Sequence, residues 1–141
     1  MHDGFGLTHA DPQRSDYPTD FVDTVVHSSY VKGSFSKDAE PELIAEIAAN
    51  NDLVLTAIGD CGSCCSCCIR DSVTLEKLGL PSAAIITTEF EKETVLTRTA
   101  IGMEGLIPVV IDHPVSSITQ AEIDARAAMV AEKAPKVWLG K

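Results

Sequence analysis

Apolar and polar positions along the chain sort into alternating short runs and helical stripes. Residues 1–20 (MHDGFGLTHADPQRSDYPTD) carry no apolar period and are rich in Gly, Pro and Asp, which predicts a flexible or partner-dependent arm. Residues 21–26 (FVDTVV) form a β-branched run, a candidate first strand. Residues 32–38 (KGSFSKD) read as a loop. Pro41, following Asp38 and Glu40, opens a helix whose apolar stripe is Leu43, Ile44, Ile47 and Ala48; Asn50 and Asn51 end it. Residues 53–58 (LVLTAI) have the unbroken apolar character of a buried strand. Ile69, Val73 and Leu78 then mark a helix closed by Gly79, with Pro81 just beyond. Residues 83–87 predict a strand, residues 90–101 a helix stopping at Gly102, and residues 107–111 (IPVVI) another strand. Thr119 and Glu122 make a capping box with Ile118 and Ile123 at the staple positions. The helix they start is expected to run to Ala134 and break at Pro135. Trp138 reads as a packing anchor.

Short apolar strands separated by helices imply a parallel sheet with both faces covered. The expected fold is α/β: a three-layer α/β/α sandwich with a mostly parallel sheet of about four strands. One domain is expected over residues 21–141, with no internal repeat and no linker beyond the arm. In such sheets ligands bind beyond the carboxyl ends of the strands. That edge would carry His27, Ser28 and Ser29 with the loop residues 34–36, then Asp60 and Cys61, then Thr87, Thr88 and Glu89, then Asp112, His113 and Pro114.

The formal net charge is -10, from 21 acidic and 11 basic residues, which opposes a protein that grips phosphate backbones. One Trp, two Tyr and four Phe leave little for a base-stacking platform. No apolar run nears the roughly 20 residues a bilayer span needs. The first residues lack the apolar core of a secretory signal. The expectation is therefore a cytoplasmic protein with neither nucleic acid nor membrane as partner.

All five cysteines fall between Cys61 and Cys68, in the run Cys-Gly-Ser-Cys-Cys-Ser-Cys-Cys. So tight a cluster cannot staple distant segments, and in a reducing compartment it reads as redox or metal chemistry. It contains three C-x-x-C pairs: 61/64, 64/67 and 65/68. Cys61 should lie on the turn into a helix and Cys64 in its first turn, where free amides and the helix dipole favour a thiolate. A thiol three residues away can close a disulfide and resolve a mixed intermediate. Gly62 would let the backbone turn tightly. Asp60 opposes a thiolate when ionised, or accepts a proton. Cys64, Cys67 and Cys68 share a helix face, while Cys65 points elsewhere; Cys65 and Cys68 serve equally well as small buried hydrophobes.

A metal is the rival use of the cluster. Cys61, Cys64, Cys67 and Cys68 could hold zinc or an iron–sulfur cluster, although a single strand-to-helix turn is an unusual source of four ligands. His113, fixed between a strand and Pro114, is a candidate general acid or carboxylate-binding group; the plainer alternative is a histidine bonded to loop backbone. Arg70 and Asp71, one turn past the cysteines, either orient the helix or are solvated.

From about residue 29 to 116 the chain resembles the UGSC family, named for a selenocysteine-Gly-Ser-Cys motif whose first position is often cysteine. The matching stretches are Val31-Lys32-Gly33-Ser34-Phe35-Ser36, Asp60-Cys61-Gly62-Ser63-Cys64, the run from Asp71 to Pro81, and Asp112-His113-Pro114-Val115. The resemblance implies that Cys61 is the attacking or redox atom and Cys64 its resolving partner. More distantly the family is similar to the selenoprotein B component of glycine reductase. Family members begin with a further strand–helix unit, where this chain has only the polar arm; Cys65, Cys67 and Cys68 make its motif unusually rich in thiols.

These readings converge on a thiol-dependent oxidoreductase with no resident cofactor. Cys61 and Cys64 do the exchange, Asp60 and His113 manage protons, and Ser34, Ser36 and Thr88 line the pocket. The substrate would be a small molecule or a disulfide, and the electron donor an external thiol or redox protein, since no nucleotide-binding fingerprint is present. A homo- or hetero-oligomer is expected. Two alternatives stand beside it: a metal-binding or iron–sulfur protein (a carrier or the small subunit of a larger enzyme), and a non-redox lyase or hydrolase using Cys61 as nucleophile.

Overall fold

A computed structural model describes residues 28–34 and 36–140. Its elements run α1 (Pro41–Asn50), β1 (Val54–Gly59), α2 (Gly62–Lys77), β2 (Ser82–Thr87), a 3-10 turn (Thr88–Phe90), α3 (Glu91–Ala100), β3 (Val109–Ile111) and α4 (Gln120–Trp138). The fold is mixed α/β with a small, open, all-parallel sheet ordered β1-β2-β3. Three strands thus stand among the described residues where about four were expected. The expected strand at 21–26, like the arm before it and His27, lies outside the described residues.

The central strand explains the packing. All six residues of β2 are buried, as a strand paired on both edges and covered on both faces must be. Ala84 and Ile86 join Cys65, Cys68, Ile69 and Val73 of α2 in one apolar cluster. Ala83 and Ile85 join Val109, Ile111 and Ala134 in another, which includes Val137 and Trp138 of α4. A third cluster sets Ile44 and Ile47 of α1 on Leu75 and Leu80. The helix stripe read at Ile44 and Ile47 is the one that is buried. Strand β3 is shorter than the expected 107–111: Ile107 is 57% exposed, and Pro108 offers no amide to a ladder.

The last helix corrects the expected break at Pro135. The capping box at Thr119 and Glu122 forms as expected, but α4 continues through the proline to Trp138. An interior proline forfeits a helix bond and costs ~3 kcal/mol. Here the turn around it is anchored to the sheet. Lys133 Nζ donates to the Val110 carbonyl at 2.7 Å, Ala134 is buried, and Trp138 Nε1 donates to the Val54 carbonyl at 2.9 Å. The turn after the proline closes normally, Leu139 N donating to Pro135 O at 3.0 Å. Tertiary anchoring therefore outweighs the local defect. Among the described residues no helix is long and apolar enough to cross a membrane.

Candidate redox site

The parallel register brings the ends of β1 and β2 to one edge. Gly59 pairs with Ile86, after a slip in the ladder between Thr56 and Gly59. A Cβ at Gly59 would stand 2.8 Å from Ile86 Cγ2 and 3.0 Å from the Cys65 Cα, so only glycine lets the start of α2 settle on β2. Gly62, by contrast, has nothing within 4 Å of an added Cβ. The glycine that the turn demands is Gly59, not the Gly62 of the motif.

Cys61 is the N-cap of α2, in extended conformation, and its sulfur accepts from the Cys64 amide at 3.2 Å. Sulfur here takes the place of the usual capping oxygen. Cys61 and Cys64 are joined as a disulfide with their Cα atoms 5.1 Å apart. Ser63 Oγ lies 3.8 Å from the Cys61 sulfur. Both half-cystines are half-buried, at the sheet edge where ligands are expected.

Beside them Asp60 gathers three donors. Its Oδ1 accepts from Thr87 Oγ1 at 3.1 Å and lies 2.8 Å from His113 Nδ1; its Oδ2 accepts from the Val115 amide at 3.1 Å. Asp60 therefore holds the His113 loop against the cysteine turn. His113 bonds side chains rather than loop backbone, with the Phe90 ring edge-on at a centroid distance of 5.8 Å. Thr87, the last residue of β2, is fully buried and touches both members of the pair. Thr87 is expected at this edge without a role in the site; Thr88, expected to line the pocket, is exposed next to it. The signal was available: a polar side chain ending an otherwise apolar central strand needs a partner.

Ser34 and Ser36 bond each other, the hydroxyls at 3.2 Å, and neither hydroxyl bonds the cysteine turn. Their loop is tied to α2 instead. Asp71 accepts from Lys32 Nζ at 2.7 Å and from the Ala39 amide at 2.8 Å, and Arg70 Nε donates to Asp38 at 2.8 Å. Arg70 and Asp71 thus orient the loop carrying the serines.

The other three thiols are buried. Cys65 bonds Thr94 Oγ1 at 3.2 Å, Cys68 bonds Thr56 Oγ1 at 3.2 Å, and Cys67 accepts from Arg70 Nη2 at 3.5 Å. The suggested metal set of Cys61, Cys64, Cys67 and Cys68 is divided between a disulfide and two buried thiols. Among the described residues no three His, Cys, Asp or Glu side chains are gathered to hold a metal ion. Burial pushes the Cys68 thiol up to about 12, against the lowering effect of its Thr56 hydrogen bond. Burial also raises Cys65, partly offset by Thr94. A thiol raised on folding stabilises the protein below its unfolded value, near 9.0, and that contribution is lost as pH rises towards about 12. Native protein at pH 8 should therefore leave Cys65 and Cys68 unalkylated by iodoacetamide. Its denaturation midpoint should fall above about pH 9, and fall less in Cys68→Ala. Rapid native labelling of Cys68 would contradict this placement.

Fold and site together define a parallel α/β protein with a C-x-x-C disulfide at the N-cap of the helix that follows β1. The chain belongs to the UGSC family, whose model matches residues 20–140. Comparison with curated proteins and with solved structures returned no match.

Proposed function

We propose that the protein is a thiol-dependent oxidoreductase. The observation that carries this reading is the Cys61–Cys64 pair at a helix N-terminus, with Asp60 and His113 beside it. In the reduced protein the Cys64 amide and the first-turn dipole favour a thiolate on Cys61. That thiolate attacks one sulfur of a disulfide, forming a mixed disulfide and expelling the other half as a thiolate, which takes up a proton. Cys64, deprotonated, then attacks the Cys61 sulfur and expels the second half. Two electrons pass to the substrate and the Cys61–Cys64 bond remains. An external thiol or redox protein returns the two electrons. Asp60 and His113 handle the protons, and Thr88 with the loop of Ser34 and Ser36 supplies the pocket wall.

The same reading takes the sheet as part of a three-layer sandwich of about four strands and the chain as working in a homo- or hetero-oligomer. Leu55 and Ile58, 43% and 36% exposed on β1, which ends the sheet among the described residues, support an assembly. The reading includes small molecules, as well as disulfides, among the substrates reduced. A second reading, a lyase or hydrolase with Cys61 as covalent nucleophile, is favoured by the carboxylate–imidazole pair, the arrangement a general base needs.

The test is thiol counting and elemental analysis on anaerobically purified protein. Five free thiols after reduction and three after mild oxidation, without stoichiometric metal, are expected. Iron or zinc bound stoichiometrically, and lost when Cys61, Cys64 or Cys67 is replaced, would overturn the reading in favour of a metal site.

A further inference from the structure

We propose that Thr87 is the positioning residue of the site: it holds His113 with its proton on Nδ1 and so presents Nε2 as the atom that exchanges protons. The geometry decides between the two neutral forms of the ring. His113 Nδ1 lies 2.8 Å from Asp60 Oδ1 and 2.9 Å from Thr87 Oγ1. Were Nδ1 unprotonated, its lone pair would face a carboxylate oxygen at hydrogen-bond distance with no proton between them. With the proton on Nδ1, the ring donates to Asp60 and shares its proton with the Thr87 oxygen. The single hydroxyl proton of Thr87 then serves Asp60 Oδ1 at 3.1 Å, or the Gly59 carbonyl at the longer 3.4 Å. Thr87 thus donates to one member of the pair and accepts from the other.

The position of Thr87 makes this arrangement rigid. It is fully buried at the end of the central strand, and its backbone is fixed by pairing with Ile111. Asp60 and His113 arrive from two different loops, one after each flanking strand, and Thr87 is the fixed point between them. The Val115 amide on Asp60 Oδ2 and the edge of Phe90 complete the enclosure. An imidazole oriented this way by a carboxylate and a buried hydroxyl keeps one tautomer and one ring direction. Threonine is the smallest change from valine that supplies the hydroxyl, so the conservative pair Val and Ser separates shape from hydrogen bonding.

The tautomer itself does not depend on the thiol reading; only the kinetic arm of the test rests on it. Long-range proton–nitrogen NMR correlations, taken where the ring is neutral and assigned by comparison with His113→Gln, read which nitrogen carries the proton. Wild type should be protonated at Nδ1. Thr87→Val removes the hydroxyl bonded to both Asp60 Oδ1 and His113 Nδ1, so the ring should turn away from the carboxylate and show a mixture of tautomers. The substitution should also slow exchange of the reduced protein with dithiobis(nitrobenzoate) about tenfold, and Thr87→Ser should restore both. A wild-type ring protonated at Nε2 overturns the proposal without any variant, so a Thr87→Val chain that fails to fold does not protect it. A slower rate with an unchanged tautomer also overturns it. A changed tautomer with an unchanged rate upholds the positioning role and removes His113 from the thiol mechanism.

Discussion

Cys64→Ser should accumulate a stable mixed disulfide on Cys61 when the reduced protein meets a disulfide substrate, while Cys61→Ser should react at least about a thousandfold more slowly than wild type. The asymmetry follows from the turn. The Cys61 sulfur caps the helix and receives the Cys64 amide at 3.2 Å, so a thiolate there is stabilised by a donor already in place. Cys64 stands inside the first turn, within bonding reach of Cys61. In the proposed exchange its part is to break the intermediate that Cys61 makes. Intact-mass analysis under non-reducing conditions reads the trapped adduct directly. The covalent lyase or hydrolase reading predicts otherwise: Cys64→Ser would keep full turnover and carry no disulfide-linked adduct. Cys65, Cys67 and Cys68 do not replace either residue, because all three are buried.

Gly59→Val should cost about 3 kcal/mol of stability, read as a lower urea midpoint with an unchanged slope. Its first added carbon would stand 2.8 Å from Ile86 Cγ2 and 3.0 Å from the Cys65 Cα. The second contact is backbone, which cannot swing aside as a side chain does. Relief requires α2 to move away from β2, and α2 is capped by Cys61 and carries Cys64. The variant should therefore lose exchange rate as well as stability. Gly62→Ala is the control. With open space around it and a place in the first turn of α2, alanine there should be neutral or gain up to about 1 kcal/mol. A Gly59→Val protein as stable as wild type would mean that the turn is not packed as described.

The features legible in the sequence were those set by local chemistry. Pro41, the Ile44–Ile47 stripe, the Thr119–Glu122 box and Gly79 each act within a turn or two of chain, and each marks the element it was read to mark. The placement of Cys61 before a helix and Cys64 within it followed from the same local signals. What escaped was decided by contacts across the fold. Locally Pro135 predicts a stop because its effect on its own helix is unfavourable; Trp138 reaching the Val54 carbonyl, 84 residues away, reverses it. Gly59 stands just outside the Asp60–Cys64 motif, and its necessity appears only when Ile86 and Cys65 close over it. Thr87 and Thr88 are adjacent in the chain, and only the strand end shows which one turns towards Asp60. The five cysteines look equivalent in a row. Helix periodicity, together with the sheet beneath, sends three inward and leaves two at the edge.

The proposed function requires Cys61 and Cys64 to act as one redox couple. Disulfide mapping of wild-type protein carried through reduction, mild oxidation and reduction again, with each state digested after rapid alkylation, reads this pairing. A single bond, Cys61 to Cys64, should form on oxidation and disappear on reduction while Cys65, Cys67 and Cys68 stay free. Oxidation that joins any other pair, or leaves Cys61 and Cys64 unjoined, would contradict it.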